Sequence, residues 1–427
     1  MQYEKKTLIL PPMNAKNVHL IYILVFLTGF FASACHKDEY VPRQPGLPGD
    51  SLEQTLVVYM VGENSLHSDL QVDSLEIAWG LDSISKNARV VVFMDDMKGS
   101  RLCVGRKWER LQVIKTYEEN LCSTDSQTMA NVFDDIFRRY PARHYGLAMC
   151  SHGSGWLFDE GQSTHSGMRR SFGLDNGNRN TTNVGRRMPI TALAGVLSGC
   201  PHFDYILFDA CFMQCIEVAY ELRHAADYII ASPAEIPATG APYTKLMRDL
   251  CAVPAQPELV TRGYVDYYLT GDGSKNYGGA ELSLIRTDRL EQLAQVTAPY
   301  LKKLMAGRKE IPIEGVQSFY PNLSSDRYTG YIDLKNLFYT HLDLASYASW
   351  VRVFDAAVPV QALSPKWYSS YNSWNPTSGS FQTVHDIPHT GGVSVYVPRE
   401  VDVSKGWTMD YHRLQWYQDT GLRETNW

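Results

Sequence analysis

The apolar positions of this chain fall into short unbroken runs separated by stretches of helical period. TLVVYMV (55–61), ARVVVFMDD (88–96), YGLAMC (145–150), YILF (205–208) and DYIIAS (227–232) carry almost no polar alternation. Runs of this kind read as strands buried on both faces of a parallel sheet. Between them, 68–85, Ser126 to Tyr140, Ile190 to Ser198, 214–226, 243–251 and 257–270 read as helices, while RLCVG and KWERLQVIKTY read as a hairpin. Repeated strand–helix alternation predicts an α/β fold with a largely parallel sheet flanked by helices. This pattern spans 52–272. From 273 to 427 the pattern changes: ELSLI (281–285), a helix from Leu290 to Met305, the segment TGYIDLKNLFYTHL (329–342) leading into a helix to about Ala357, and a strand in GGVSVYVP (391–398) predict a C-terminal α/β companion subdomain. The segment from Ser154 to Pro189, rich in Gly, Asn, Ser and Arg, has no apolar period and reads as a long irregular insert, functional or solvated.

Composition narrows the class without naming it. The chain has 427 residues, 44% hydrophobic and 20% charged, which is ordinary for a globular protein. A net charge of −6 with no basic run gives no electrostatic footprint for nucleic acid. At the N-terminus, Lys16 precedes an apolar stretch from Leu20 to Phe31, shorter than the roughly 20 residues a bilayer span needs. Ala32, Ser33 and Ala34 then lead to Cys35, so residues 1–35 read as a signal segment. The small residues before Cys35 resemble a bacterial lipobox, with Ala32 where leucine is usual. That resemblance implies acylation of Cys35 and a lipid anchor in the cell envelope, at the outer membrane or cell surface; a signal peptide cut nearby would instead give a secreted protein. Residues 36–51 read as a polar tether. Eight cysteines less a lipidated Cys35 leave an odd number, so at least one exported thiol is unpaired within the chain. Cys103 and Cys122 flank the predicted hairpin and are a candidate disulfide.

Two of the apolar runs end in reactive side chains. YGLAMCSHGSGW (145–156) reaches His152 and a glycine-rich turn, and FDYILFDACFMQ (203–214) reaches Asp209 and Cys211. In open α/β sheets the chemistry gathers beyond the carboxyl ends of the strands. A thiol attacks as thiolate, and a nearby imidazole both lowers its pKa and takes its proton. Taken singly each residue has a bland reading: a core histidine, a small buried cysteine, an aspartate capping the next helix. Taken together they point to a cysteine-nucleophile hydrolase.

HGSGW and DAC, with LVVYMVGENSL (56–66), ASPAEIPATGAPY (231–243), YIDL, GGVSVYVP and LQWYQDTGL, resemble the clostripain family of cysteine peptidases, relatives of caspases and gingipains. The likeness spans roughly 52–422, and His152 precedes Cys211 by an interval similar to the roughly fifty residues of the caspase arrangement. It implies a caspase-like fold and a dyad in which His152 is general base and acid and Cys211 the nucleophile. It also implies an oxyanion hole from the backbone N–H groups of Gly153 and Cys211, where a residue without Cβ lets the scissile carbonyl approach. Asp209 matches the family's S1 aspartate and implies protein or peptide substrates cleaved after Arg, with Lys admitted. Self-cleavage between His and Cys makes Arg169, Arg170, Arg179, Arg186 and Arg187 candidate processing sites. No cofactor is expected and no His/Cys cluster has zinc spacing. Calcium, which some family members need, stays open at Asp95-Asp96 or Asp175.

Two other classes compete. A serine hydrolase using HGSG as an oxyanion loop lacks the G-x-S-x-G elbow. A catalytically silent, peptidase-like surface binding protein is the other, and the presence of both His152 and Cys211 weighs against it.

Overall fold

Adjacent residues of the central strands pack into two different layers, which is why their sequences carry no polar alternation. In β1 (Leu52–Gly62), Val57, Tyr59 and Val61 enter one core, and Leu56, Val58 and Met60 enter the other. A computed structural model describes residues 52–118, 121–156, 172–177, 185–270, 279–319, 331–364, 389–400 and 407–425. The signal segment and tether, with Cys35, and the arginines Arg169, Arg170 and Arg179 lie outside the described residues. Everything described belongs to one compact unit.

After β1 come helix α1 (His67–Gly80), β2 (Ala88–Asp96) and the hairpin β3 (Gly99–Arg106) and β4 (Gln112–Thr116). Helix α2 (Ser126–Arg139) follows, capped by Asp125, whose carboxylate accepts from the N–H groups of Gln127 and Thr128. The chain continues through β5 (Ala142–Cys150), a short ladder of β6 (Phe172–Asp175) and β7 (Arg186–Met188), α3 (Ile190–Ser198), β8 (Phe203–Asp209), α4 (Ile216–Glu221) and β9 (Ala226–Ala231). Helices α5 (Tyr243–Leu250) and α6 (Pro257–Thr270) lead to β10 (Glu281–Arg286), α7 (Leu290–Met305), β11 (Ile332–Asp333), α8 (Leu334–His341), α9 (Leu344–Ala357), β12 (Val360–Leu363), β13 (Ser394–Val395), α10 (Trp407–Tyr411) and α11 (Gln415–Asp419).

The main sheet runs β12-β10-β9-β8-β5-β1-β2-β3-β4. Its centre, β9-β8-β5-β1-β2, is parallel, and both flanks are antiparallel. Helices α1, α5 and α6 cover one face; α2, α3, α4, α7, α8 and α9 cover the other. This is the α/β, largely parallel sheet flanked by helices expected from the pattern. The residues after 273 also supply β10 and β12 to the edge of that sheet.

Several elements differ from the sequence reading. The helix expected over 214–226 is only Ile216–Glu221, because Phe212 and Gln214 turn aside to donate backbone bonds to Ala234 and Ser232. The insert holds the β6–β7 ladder, although its polar sequence shows no strand period. Cys103 and Cys122 are both free, as are the other five described cysteines. Cys103 packs in the layer with Val58, whereas Cys122 lies beside Thr124 next to Tyr59, on the opposite face.

Two segments singled out by sequence, YIDL and GGVSVYVP, meet through one carboxylate. Buried Asp333 accepts from the N–H of Asn336 at 2.7 Å, of Gly391 at 2.8 Å and of Gly392 at 3.0 Å. Ile332 pairs with Val395 beside it, and a Cβ on Gly391 would lie 2.6 Å from the Phe354 ring. An Asp333→Ala change strands three backbone donors, so urea unfolding should show a loss of roughly 3 kcal/mol or more. An unchanged midpoint would contradict this assignment.

Candidate active site

The β5–β8 pairing sets the site. These strands run parallel in a register that ends with Cys150 opposite Asp209, and Ser151 N–H still reaches the Asp209 carbonyl at 3.4 Å. His152 and Cys211 are each two residues beyond that pair, so they leave the sheet at the same level on strands about 4.8 Å apart. Both line one pocket of about 200 Å³ at the carboxyl ends of the parallel strands. The loop after β9 closes it with Glu235 and Ile236, and α1 closes it with Leu70 and Asp73.

Each reactive group has a resting partner. The half-buried Cys211 Sγ accepts from the Ile236 N–H at 3.4 Å. His152 Nε2 lies 2.9 Å from Ser65 Oγ, in the loop after β1. No hydrogen bond joins the sulfur to the imidazole. Burial pushes the Cys211 thiol up to about 12, helped by the negative charges of Glu235 and Asp209. Burial and the nearby Arg187 push His152 down to about 4. Both groups are therefore neutral at rest near pH 7. Ser65 was legible only as part of the LVVYMVGENSL stretch, with no role attached to it.

The two turns interlock closely. A Cβ on Gly153 would stand 2.5 Å from the Cys211 carbonyl oxygen, so only glycine permits this approach. Phe212, directly after the cysteine, has φ of 59°, an uncommon conformation for a bulky residue. Its ring stacks on Tyr331 at 4.6 Å, and the Tyr331 hydroxyl donates to the Ser154 carbonyl at 2.5 Å. Trp156 packs on Tyr396 and Tyr411. Buried Gln214 donates to the Ser283 carbonyl at 2.7 Å, and its own carbonyl accepts from Ser394 N–H at 2.9 Å. Residues beyond 273 thus brace both the His152 turn and the Cys211 turn from behind.

Asp209 is 5% exposed and carries three donors. Its Oδ1 accepts from the Tyr264 hydroxyl at 3.0 Å, and its Oδ2 from Ala241 N–H at 3.0 Å and the Tyr243 hydroxyl at 3.2 Å. Burial still raises its pKa. Arg186 and Arg187 sit within β7, and Arg186 pairs with Asp125 at 3.6 Å. Of the acidic residues left open for calcium, Asp96 is held by Arg101 at 2.8 Å. Asp95 and Asp175 come together with Glu63, all three buried, with ligand atoms within 4.8 Å of one another. Asp95 Oδ2 has no hydrogen-bond partner, and burial pushes that carboxyl up to about 7.

Comparison with known proteins follows this geometry. The family model described as the clostripain family matches residues 58–427. A secreted C11 cysteine protease of Bacteroides thetaiotaomicron, solved with an irreversible peptide inhibitor, is 31% identical with a TM-score of 0.72, covering 87% of this chain and 100% of that one. An inactive zymogen C11 protease of Parabacteroides distasonis is 28% identical with a TM-score of 0.71, covering 88% of this chain and 99% of that one. Clostripain of Hathewaya histolytica is 25% identical over 154 residues, which is 35% of this chain and 28% of that relative's length. No helix among the described residues is long and apolar enough to cross a membrane. With nearly all of the sheet, both turns and the bracing C-terminal segments inside the matched region, the chain belongs to the clostripain family, a family of cysteine endopeptidases.

Proposed function

We propose that this protein is an endopeptidase that cleaves after Arg, with Lys admitted, through a Cys211–His152 dyad. The observation that carries the reading is that a thiol and an imidazole share one pocket with a buried carboxylate. Substrate entry displaces water, and the scissile carbonyl lies against the Gly153 and Cys211 N–H groups. With Nε2 engaged by the Ser65 hydroxyl, Nδ1 is the ring nitrogen left to take the thiol proton. The sulfur attacks, a tetrahedral oxyanion forms, and His152 protonates the leaving amine. Water then hydrolyses the thioester with His152 as base. The absence of a resting Cys–His bond is compatible with this, since catalytic hydrogen bonds often tighten only with substrate bound.

Maturation by self-cleavage in the 154–189 insert accompanies this reading, supported by the zymogen form of a relative. Arg186 and Arg187 lie within a strand and would have to leave its ladder before being cut. A lipid on Cys35 would hold the enzyme at the cell envelope. Calcium fits the Glu63, Asp95 and Asp175 oxygens, a hard, acidic donor set with one unsatisfied oxygen. There it would neutralise charge and tie β1, β2 and β6 together.

Three outcomes are expected. Wild type should hydrolyse an arginyl fluorogenic peptide, Cys211→Ala should not, and His152→Ala should lose on the order of 10³-fold in kcat/KM. Intact mass of the same samples should show a split within the insert for wild type only. A fully active Cys211→Ala would overturn the dyad, and a wild type inert on every basic peptide would leave a binding protein. In the free enzyme, iodoacetamide labelling of Cys211, followed by peptide mass, should rise about tenfold per pH unit between roughly pH 6 and 9. A plateau below pH 7 would instead reveal a thiolate–imidazolium pair already formed. Removing calcium with a chelator should lower the melting temperature and adding it back should restore it, with about 2.7 kcal/mol available at a hundredfold excess over Kd. Identical melting curves would dismiss the cation.

A further inference from the structure

Helix α1 brings a second carboxylate into the substrate pocket. Asp73 is 2% exposed, lies one turn after Leu70, and lines the pocket together with Asp209, His152 and Cys211. Leu70 and Asp73 share one helical face by their spacing, so the stem of a bound side chain would meet an apolar wall before reaching the acid.

The two acids are not equivalent. Asp209 is already supplied with donors on both oxygens by Tyr264, Tyr243 and Ala241. Gly240, at φ of 58°, presses against it so closely that a Cβ would stand 2.7 Å from Oδ2. Among the described residues Asp73 makes no hydrogen bond and no ion pair, and the charges that bear on it, Asp209, Glu76 and Asp69, are all acidic. Its other charged or titratable neighbours around the pocket are Glu235, His152, Cys211, Cys150, Tyr243 and Tyr264. Not one of these supplies a cation to Asp73; Arg187, close by, bears on His152. An unpartnered buried carboxylate costs free energy, and two neighbouring carboxyls resist ionising together. A cation entering the pocket relieves both penalties.

We propose that Asp73 is the direct partner of the substrate's P1 guanidinium, with Asp209 as the donor-saturated floor that supports it. This rests on the endopeptidase reading above and deepens it. A guanidinium presents a planar fork of N–H donors that matches the two oxygens of one carboxylate, whereas an ammonium is a compact point charge. An Asp73 whose carboxylate has no other partner therefore selects Arg over Lys. Asp209 alone, with its lone pairs engaged, is a weaker reader of that difference.

The test compares kcat/KM for peptides differing only at P1: Arg, Lys and citrulline, the uncharged isostere of Arg. Wild type should favour Arg over citrulline strongly. Asp73→Asn should lower that ratio on the order of a hundredfold and narrow the Arg-to-Lys preference, with the citrulline peptide little affected. Because each ratio is taken within one preparation, it does not depend on the folded fraction. Titration with a peptidyl electrophile lacking a P1 charge counts the working sites. Should Asp73→Asn not accumulate, Asp73→Ser is measured by the same ratios. A variant that keeps the wild-type Arg-to-citrulline ratio overturns the role of Asp73 alone. A wild type that does not distinguish Arg from citrulline overturns the basic-P1 reading beneath it.

Discussion

The register of one parallel strand pair governs this molecule. With Cys150 opposite Asp209, the chain delivers an imidazole and a thiol to one mouth; slipped by a single residue, every side chain of the strand would change faces. Packing on both faces enforces the register. Leu147 and Met149 share a layer with Ile206 and Phe208, while Ala148 and Cys150 share the other with Tyr205 and Leu207. Gly146 adds a steric key, since a Cβ there would fall 2.4 Å from the Tyr205 hydroxyl, which donates to the Leu250 carbonyl. Burying each such side chain contributes about 1.5–3 kcal/mol, so a slipped register loses several of these contributions together.

Beyond the strand ends the backbone must turn sharply, and regular hydrogen bonding stops. The loop after β9 and the C-terminal segments take over that task. Ala234 and Ser232 receive the backbone of the cysteine turn, Tyr331 pins the histidine turn, and Gln214 ties the same region to Ser283 and Ser394. The unusual φ of Phe212 persists because these contacts over-determine it. The site is consequently a property of the whole sheet and its edge, including β10, rather than of the strands that carry the dyad.

The pocket gathers three acids, Asp73, Asp209 and Glu235, around the thiol and the imidazole. Burial keeps the thiol and imidazole neutral, and the acids around them raise the cost of a thiolate further. A bound cation would reverse that bias by offsetting the charges of Asp73, Asp209 and Glu235, which lowers the cost of ionising the sulfur when substrate is present.

Much of this was legible along the chain. Doubly apolar runs announce strands buried on both faces, and β2, α3 and α7 fall on the residues their patterns predict. His152, Gly153, Asp209 and Cys211 stand out because each follows such a run at its carboxyl end. The β6–β7 ladder, the two-residue β11 and the short α4 were not legible, since their form is set by partners far away in sequence. Ser65 and Asp73 belong to the same class: a serine in a loop and an aspartate on an amphipathic helix are unremarkable locally. Periodicity and residue chemistry, which are local, determined the strands and the reactive groups. Which groups face one another, which carboxylate already holds its donors and which lacks them were decided by tertiary structure alone, because hydrogen-bond satisfaction in a buried site depends on neighbours that only folding brings together.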